Sequence, residues 1–274
     1  MKTPERPVKH TIPAVIHAME VVSVLALQDD EATSKSLAIR LGIPRSSCYR
    51  ILKSLVSQDW VRVVDGGRHM LSLGLMPLLA PLRQAEHIAL AAKPAIEALS
   101  RHAQMAAKIT MRQGDYAVTV ARAESPRQTS VAVRLGAAFH LAFGSSGAVL
   151  LSGMPKSKVD AILKRSPADC WLNQDPQDVA KRLRDLDKKG WCADFGTYRE
   201  TVHAISAPIR DFRGNVLASM TLIGFAYELP LERLAEPAKL LLQATRRAEG
   251  ELRHWTSGLT EGDETSKKSR GTGR

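Results

Sequence analysis

The sequence predicts an α+β protein in two parts: a winged helix-turn-helix near the N-terminus, followed by a larger domain with a mainly antiparallel sheet. Three observations lead to this prediction. Residues 41–55 have the apolar spacing of a short helix after a tight turn. Two alternating stretches come next and indicate a hairpin. The second half of the chain places hairpin patterns at both ends of a helical region.

Residues 41–55, with the sequence LGIPRSSCYRILKSL, predict the turn and second helix of a helix-turn-helix. An apolar stripe at helical spacing comprises Cys48, Ile51, Leu52 and Leu55. A polar stripe about 200° away comprises Ser46, Tyr49, Arg50 and Lys53. Gly42 can end the preceding helix with a positive φ, and Pro44 suits a first helical turn. We expect the polar stripe to face outward and read DNA, although such a stripe is more often a solvated face.

Patterns on both sides of this stretch complete a winged helix. Apolar residues at helical spacing predict two helices before it, the second capped by Thr33 or Ser34. After it, alternating residues on either side of the sequence DGG at 65–67 predict a hairpin. We therefore assign residues 12–74 to a winged helix-turn-helix DNA-binding domain.

The charge of this module favours double-stranded DNA as its partner. Residues 33–73 carry seven Lys and Arg against two Asp, a net charge of +5, in a chain with a formal net charge of +11. Neutralising phosphates provides sequence-independent affinity, while side chains from a helix in the major groove read base edges. The expected DNA contacts are Lys35, Arg45, Ser46, Ser47, Tyr49, Arg50, Lys53 and, at the wing tip, Arg68.

The composition of the chain indicates its general class: the number of domains, the state of its cysteines and its location in the cell. Its 274 residues suggest about two domains. The three cysteines are odd in number and widely spaced, which favours reduced thiols over disulfides or a zinc site. Without a long apolar run or a signal-peptide pattern, the sequence predicts a cytoplasmic protein with no membrane partner. Nothing in it implies a metal or cofactor.

The remaining boundaries follow from composition and periodicity. Residues 1–11 and 257–274 predict disordered tails. Residues 75–102 predict linker helices, with Pro94 ending one helix and beginning another. An apolar stripe on this linker suggests a homodimer contact or, alternatively, packing on its own domain, and comprises Leu82, Ala85, Ile88, Ala89 and Ala92. Residues 103–256 remain as the second domain.

The second domain mixes strands and helices. The predicted strands are 105–111, 116–122, 130–134, 191–194, 202–209 and 216–223. The predicted helices are 147–151, 156–164, 178–188 and a final one from 230 to about 254.

The residues described so far resemble the IclR family of bacterial transcriptional regulators, over about 13–255. The stretch 41–55 resembles the family's recognition helix, G-L-P-(K/R)-S-T-x-(Y/H)-R-L-L. The stretch 190–224, GWCADFGTYRETVHAISAPIRDFRGNVLASMTLIG, resembles its long C-terminal signature. The resemblance implies a winged helix joined to a GAF-like effector-binding domain, in dimers that can pair into tetramers. It also implies effector-binding positions at Gly144, Ser145, Asp194, Val202, Ala204, Thr221 and Ile223.

The residues around Gly144 offer a physical reason for an acidic effector. The sequence GSSG at 144–147 opens a predicted helix, and free N–H groups at a helix start favour a carboxylate, although Ser145 or Ser146 could simply cap that helix. Asp194 could likewise cap a turn. Ile223 stands where the resemblance leads one to expect a serine, so the far wall is mostly apolar. We therefore expect a small organic acid with an aromatic or longer-chain body.

Two other functions compete with a ligand-responsive regulator. A hydrolase-like enzyme with an accessory nucleic-acid-binding domain is disfavoured, because GSSG misses the G-x-S-x-G nucleophile motif by one residue. His140 and His203 also lack a spaced partner that would suggest a metal or a triad. A structural DNA-coating protein would not need the second domain's apolar strand ends and Gly-Ser loop.

Overall fold

The computed structural model describes residues 11–27, 32–197 and 199–268, and the side chains of Pro81 and residues 254–268 lie outside that description. The chain divides into two compact units, Met1–Arg83 and Gln84–Arg274. The division falls inside the predicted linker. Except for residue 11, the predicted N-terminal tail lies outside the described residues.

The first unit is a winged helix-turn-helix, as predicted. Its helices are α1 (Pro13–Leu25), α2 (Ser34–Leu41) and α3 (Arg45–Ser57), and its wing pairs strand β1 (Val61–Val64) with β2 (Arg68–Leu71) in antiparallel fashion. Nine buried apolar residues form its core: Val21, Leu25, Ala32, Leu37, Ala38, Ile43, Cys48, Leu52 and Val61.

The turn between α2 and α3 forms for local reasons. Thr33 caps α2, since its hydroxyl accepts a hydrogen bond from the Ser36 N–H and the Ser36 side chain accepts one from the Thr33 N–H. Gly42 ends α2 with a φ of 66°, a conformation that costs glycine little. Pro44 then precedes the first residue of α3. The predicted tight turn is confirmed.

The linker differs from the prediction at Pro94. A short helix, α4 (Met76–Leu79), is followed by α5 (Arg83–Ala103), which runs through Pro94 without ending. Pro94 lies on the exposed side, where water can satisfy the carbonyl that loses its hydrogen bond. Buried residues of α5 such as Ile96 and Leu99 hold the helix together across this position.

The second unit is built on a six-stranded sheet with the order β5-β4-β3-β8-β7-β6, in which every neighbouring pair is antiparallel. Its strands are β3 (Ala106–Gln113), β4 (Tyr116–Ala123), β5 (Ala138–His140), β6 (Cys192–Phe195), β7 (Val202–Arg210) and β8 (Val216–Phe225). The predicted α+β class is confirmed.

The predicted strand at 130–134 is wrong. These residues alternate like a strand but form none, because the chain turns between Arg134 and Ala137, with Gly136 at a φ of 72°, and the pairing with β4 stops at this turn. The Thr119 carbonyl accepts from the Gly136 N–H at 2.8 Å, and the Thr119 N–H donates to the Ala137 carbonyl at 3.0 Å. Beyond Thr119, β5 takes the edge of β4.

The two faces of the sheet differ in character. One face is apolar and packs with α5 and with the final helix α9 (Ala235–Lys268); its buried residues include Ile109, Ile205 and Leu222. The other face carries polar side chains and is covered by α6 (Gly144–Leu151) and α8 (Pro176–Lys189), with α7 (Lys156–Lys164) beyond. The polar face positions the candidate effector site.

Helix α9 extends further than predicted. It continues to Lys268, where the sequence analysis expects a disordered tail from residue 257. Lengthening an existing helix needs no new nucleus, so the polar, proline-free stretch that follows can continue it. The last part of the predicted tail, 269–274, lies outside the described residues.

Candidate functional site

The candidate DNA-binding surface lies on α3 and the residues around it. Six of the eight predicted contacts are exposed: Lys35, Arg45, Ser46, Tyr49, Arg50 and Lys53. Tyr49 is 59% exposed, so its side chain is accessible to a partner. Cys48 and Leu52 are buried on the opposite side, so α3 turns its polar stripe away from the core.

Arg68 lies directly beside the wing tip, where it forms the last residue pair of the hairpin with Val64. Gly66 and Gly67 form the tip with positive φ angles, and Arg68 is the first residue of β2. Its side chain is half-buried, and Nε donates to the Asp65 carbonyl at 3.0 Å. Arg68 therefore supports the turn. The wing also exposes Arg62, which the site prediction omitted although it points away from the core between two valines.

In the second unit, four buried hydroxyls connect α6 to the polar face of the sheet. Ser145 and Ser206 have their Oγ atoms 2.8 Å apart, and Ser146 Oγ lies 2.8 Å from Thr221 Oγ1. Ser206 and Thr221 are register partners on β7 and β8 and are themselves joined at 2.8 Å. These hydroxyls position the first turn of α6 directly on the sheet.

Close packing brings the start of α6 against Asp194. A Cβ at Gly147 would lie 2.1 Å from the Leu141 carbonyl oxygen, so only glycine fits there. Gly144 has a φ of 60°, and a Cβ on it would lie 3.1 Å from Asp194 Oδ2. The carboxylate of Asp194 thus lies beside the positive end of α6.

Arg182 of α8 holds that carboxylate in place. Its guanidinium donates to Asp194 Oδ1 at 3.2 Å and to the oxygens of Gln174 and Thr197, each at 2.7 Å. Thr197 also donates to Asp194. Burial raises the pKa of Asp194, and the charge of Arg182 acts against that rise. The result is a buried ion pair with its hydrogen bonds largely satisfied.

Lys108 is a further cation on the polar face of the sheet. It lies on β3 opposite Thr221, and its Nζ is 4.5 Å from the centre of the Phe139 ring. Burial lowers the pKa of Lys108 to about 8. In the part of the chain that the structure describes, no carboxylate forms an ion pair with it. Two residue pairs further along the same strands, and so on the same face, Thr110 and Ser219 have buried hydroxyls with no hydrogen-bond partner.

The structure brings together most of the predicted effector positions. Gly144, Ser145, Asp194 and Thr221 converge at the start of α6, as described above. Ala204 is the register partner of both Asp194 and Ile223. Val202 lies two residues before Ala204 on β7 and therefore on the same face. Ala204 is buried, while Val202 and Ile223 are half-buried and apolar.

Sequence reasoning missed several polar residues of this site: Lys108, Gln174, Arg182, Thr197, Ser146 and Ser206. For two of them, the sequence contains a signal that could have identified them. Ser206 continues the alternation of Val202 and Ala204 on one face of β7. Arg182 lies on the buried side of α8 between Val179 and Leu186, at helical spacing, where a charged residue needs a partner.

Among the residues that the structure describes, no nucleophile is activated by a base. Within the described residues, the hydroxyls of Ser145 and Ser146 contact other hydroxyls rather than a histidine. His140 Nδ1 accepts from the Ala142 N–H, and His203 Nδ1 contacts the Leu229 carbonyl. Burial raises the pKa of the Cys192 thiol, which keeps it protonated.

Neither a metal cluster nor a membrane helix is found among the described residues. No three His, Cys, Asp or Glu side chains there are grouped to hold a metal ion. No helix in the searched part of the chain is long and apolar enough to cross a membrane.

Comparison with known sequences agrees with this architecture. Residues 14–65 match the IclR helix-turn-helix domain, and residues 82–249 match the C-terminal domain of bacterial IclR transcriptional regulators. The HTH-type transcriptional regulator KipR of Bacillus subtilis is 24% identical over 80% of this chain and 89% of its own length. The Pca regulon regulatory protein of Pseudomonas putida is 23% identical over 85% and 81%.

Solved structures show the same fold. The IclR protein of Thermotoga maritima aligns with a TM-score of 0.66 at 17% identity, covering 88% of this chain and 99% of that one. An IclR homologue from Microbacterium hydrocarbonoxydans, crystallised with 4-hydroxybenzoate, aligns with a TM-score of 0.63 at 19% identity, covering 88% and 98%. Because both domain matches fall on the two units described above and together span most of the chain, the protein belongs to the IclR family of transcriptional regulators, DNA-binding proteins that are not enzymes.

Proposed function

We propose that the chain is a ligand-responsive regulator, and that a small organic acid bound in its second unit controls its binding to an operator. The observation that carries this proposal is the buried polar group of residues under the start of α6. Four hydroxyls, an ion pair and an unpaired lysine are costly to bury for stability alone, and a ligand offers a reason for them. A role as a mere DNA-coating protein would not require them.

The walls of this site favour an acid with an apolar body. Val202, Ala204 and Ile223 offer aliphatic surface along β7 and β8. A two- or three-carbon oxo-acid would leave polar atoms unpaired against them, at a cost of roughly 1–3 kcal/mol each. The Microbacterium homologue crystallised with 4-hydroxybenzoate supports an aromatic carboxylate as the effector of this chain. If the ligand carries a hydroxyl, we expect Asp194 to accept a hydrogen bond from it.

Thermal melts with a panel of acids test the effector class. A ligand at about 100 times its Kd that binds only the folded state adds about 2.7 kcal/mol of stability. We expect 4-hydroxybenzoate, benzoate or hexanoate to raise the Tm, and Ile223→Ser to weaken this effect. Stabilisation by glyoxylate and pyruvate alone would contradict the proposed effector class.

For DNA recognition, we propose that α3 reads base edges through Tyr49 and Arg50, while Arg45 and Lys53 contact phosphates. Arg50→Ala should then cost ~1–3 kcal/mol and relax specificity at one base pair. Lys53→Ala should weaken binding to all sequences alike and reduce the salt dependence. Fluorescence anisotropy with the upstream region of the protein's own gene measures both effects. Lys158 is exposed on α7, so Lys158→Ala is the control and should leave both the affinity for DNA and its salt dependence unchanged.

A homodimer, or a dimer of dimers, would present two recognition helices to the operator. We propose contact through the apolar side chains that the linker leaves exposed, such as Leu82, which is 55% exposed. Ile88 and Ala92 of the predicted stripe are instead buried in the core of their own unit. Two-fold assemblies read pseudo-palindromic sites. Light scattering together with footprinting tests this, and a monomer bound to asymmetric sites would contradict it.

A further inference from the structure

We propose that the acid group of the effector pairs with Lys108 on β3, and that the site accepts a single negative charge. This inference rests on the proposed function, because it assumes that the second unit binds a small acid. The residue that it assigns as the partner of the carboxylate, Lys108, is suggested neither by the family resemblance nor by the spacing of the sequence motifs.

The position of Lys108 places it at the edge of the hydroxyl group under α6. It is the register partner of Thr221, whose hydroxyl lies 2.8 Å from both Ser146 and Ser206. In an antiparallel sheet, register partners point to the same face. Lys108 therefore shares the polar face with these hydroxyls, whereas its neighbours Ala107 and Ile109 are buried in the apolar core on the other face.

Within the described residues Lys108 forms no ion pair, although the charge of Asp194 acts on it from a longer distance. Arg182 is paired with Asp194 at 3.2 Å, and Arg122, which faces Lys108 across β3 and β4, is paired with Glu124 at 2.8 Å. Lys108 contacts the ring of Phe139 instead of a carboxylate. A half-buried ammonium without a counterion is unfavourable, and an anionic ligand would remove that cost.

The helix start is a poorer place for the acid group than the sequence suggests. The carboxylate of Asp194 already lies beside Gly144, so a second carboxylate there would be repelled. The hydroxyls of Ser145 and Ser146 are already bonded to Ser206 and Thr221. The charge of Asp194 also acts on Lys108, but as an attraction that favours the charged ammonium. The unpaired hydroxyls of Thr110 and Ser219 lie on the same face, two positions further along β3 and β8.

The surroundings of Lys108 also define the chemistry of the ligand. One free positive charge matches a monocarboxylate, since a dicarboxylate would place its second charge near Asp194. The half-buried ring of Phe139 beside the ammonium offers an apolar surface for an aromatic or branched body. We therefore expect benzoate to bind and its uncharged analogue benzamide to bind poorly.

Isothermal titration with benzoate, 4-hydroxybenzoate, phenylacetate and hexanoate, on the full-length protein, tests the proposal. Lys108→Met should weaken the best of these acids at least tenfold, whereas Lys108→Arg, which keeps the charge, should retain most of the affinity. Lys158→Met is the matched control, because Lys158 is exposed on α7, and it should leave binding unchanged. Circular dichroism and operator binding of each variant verify that it is folded.

The outcomes separate this inference from the function on which it rests. If Lys108→Met binds the acids as tightly as the unmodified protein, the assignment of Lys108 is overturned while the proposed function stands. Loss of binding in Ser145→Asp together with full binding in Lys108→Met would locate the acid group at α6 and overturn it too. If no acid binds the unmodified protein, the inference and the proposed effector class both fail.

Discussion

Replacing Arg182 by methionine should destabilise the second unit strongly. The Arg182 side chain is 8% exposed and donates to Gln174, Asp194 and Thr197. Methionine fills part of the volume but leaves the Asp194 carboxylate buried without its cation. Breaking a buried ion pair in this way costs roughly 3–5 kcal/mol, a large fraction of the 5–15 kcal/mol that typically stabilises a domain.

The pH dependence of this loss has a definite sign. Burial already raises the pKa of Asp194, and the charge of Arg182 opposes that rise, so removing Arg182 raises this pKa further. A carboxyl whose pKa is raised in the folded state makes the protein less stable as the pH increases above the ordinary carboxyl pKa of 3.8. The deficit of Arg182→Met should therefore be larger at pH 8 than at pH 5.

Urea denaturation monitored by circular dichroism at both pH values measures the effect. Arg184→Met, an exposed position on the same helix, is the matched control and should change stability by less than about 0.5 kcal/mol. Adding Asp194→Asn to Arg182→Met should restore at least about 1 kcal/mol, because the unpaired charge is then gone. A deficit equal to that of Arg184→Met, or one independent of pH, would refute the reasoning.

Three further changes test other parts of the molecule. Gly147→Ala should lower the free energy of unfolding by at least ~1–3 kcal/mol, because its Cβ would lie 2.1 Å from the Leu141 carbonyl oxygen. Gly250 is a helical glycine with open space around it, so Gly250→Ala should raise the free energy of unfolding by ~0.5–1 kcal/mol in the same thermal melts. Lys108→Met should stabilise the ligand-free protein by ~1–2 kcal/mol at pH 7. The pKa of Lys108 in the folded protein is about 8, below its ordinary value of 10.5. The unmodified protein therefore becomes more stable as the pH rises from 8 to 10.5. In urea titrations, the difference in stability between Lys108→Met and the unmodified protein should be smaller at pH 10 than at pH 7. Thr33→Ala should lose ~1 kcal/mol by removing the cap of α2, and equal urea midpoints for the two proteins would argue against that role.

The first unit could be predicted almost completely from the sequence, because its signals are local. The spacing of Cys48 and Leu52 predicts which side of α3 is buried, and Gly42 predicts where α2 ends. The wing follows from a turn between two alternating stretches. Within each of these elements the residues that decide the conformation are only a few positions apart, so periodicity and turn chemistry are sufficient. Arg68 lies beside the tip of the wing, directly after the turn of residues 65–67.

Some boundaries in the second unit depended on tertiary contacts. Pro94 would end an isolated helix, but α5 continues because Ile96 and Leu99 beyond it are buried against the sheet. The alternation at 130–134 suits a strand, yet the pairing of the chain with β4 stops at the turn of residues 134–137. Intrinsic propensity is weak compared with such packing and pairing, so the sequence alone predicted both segments incorrectly.

The sequence by itself determined the class of the protein, which face of α3 is polar and exposed, and about half of the residues of the candidate effector site. Only the tertiary structure decided that Lys108 lies beside Thr221 and that Arg182 reaches Asp194. These contacts depend on β3 pairing with β8, more than a hundred residues away, and on α8 packing on β6. Long-range strand register is set by the burial of a whole sheet face, and no local pattern in the chain encodes it.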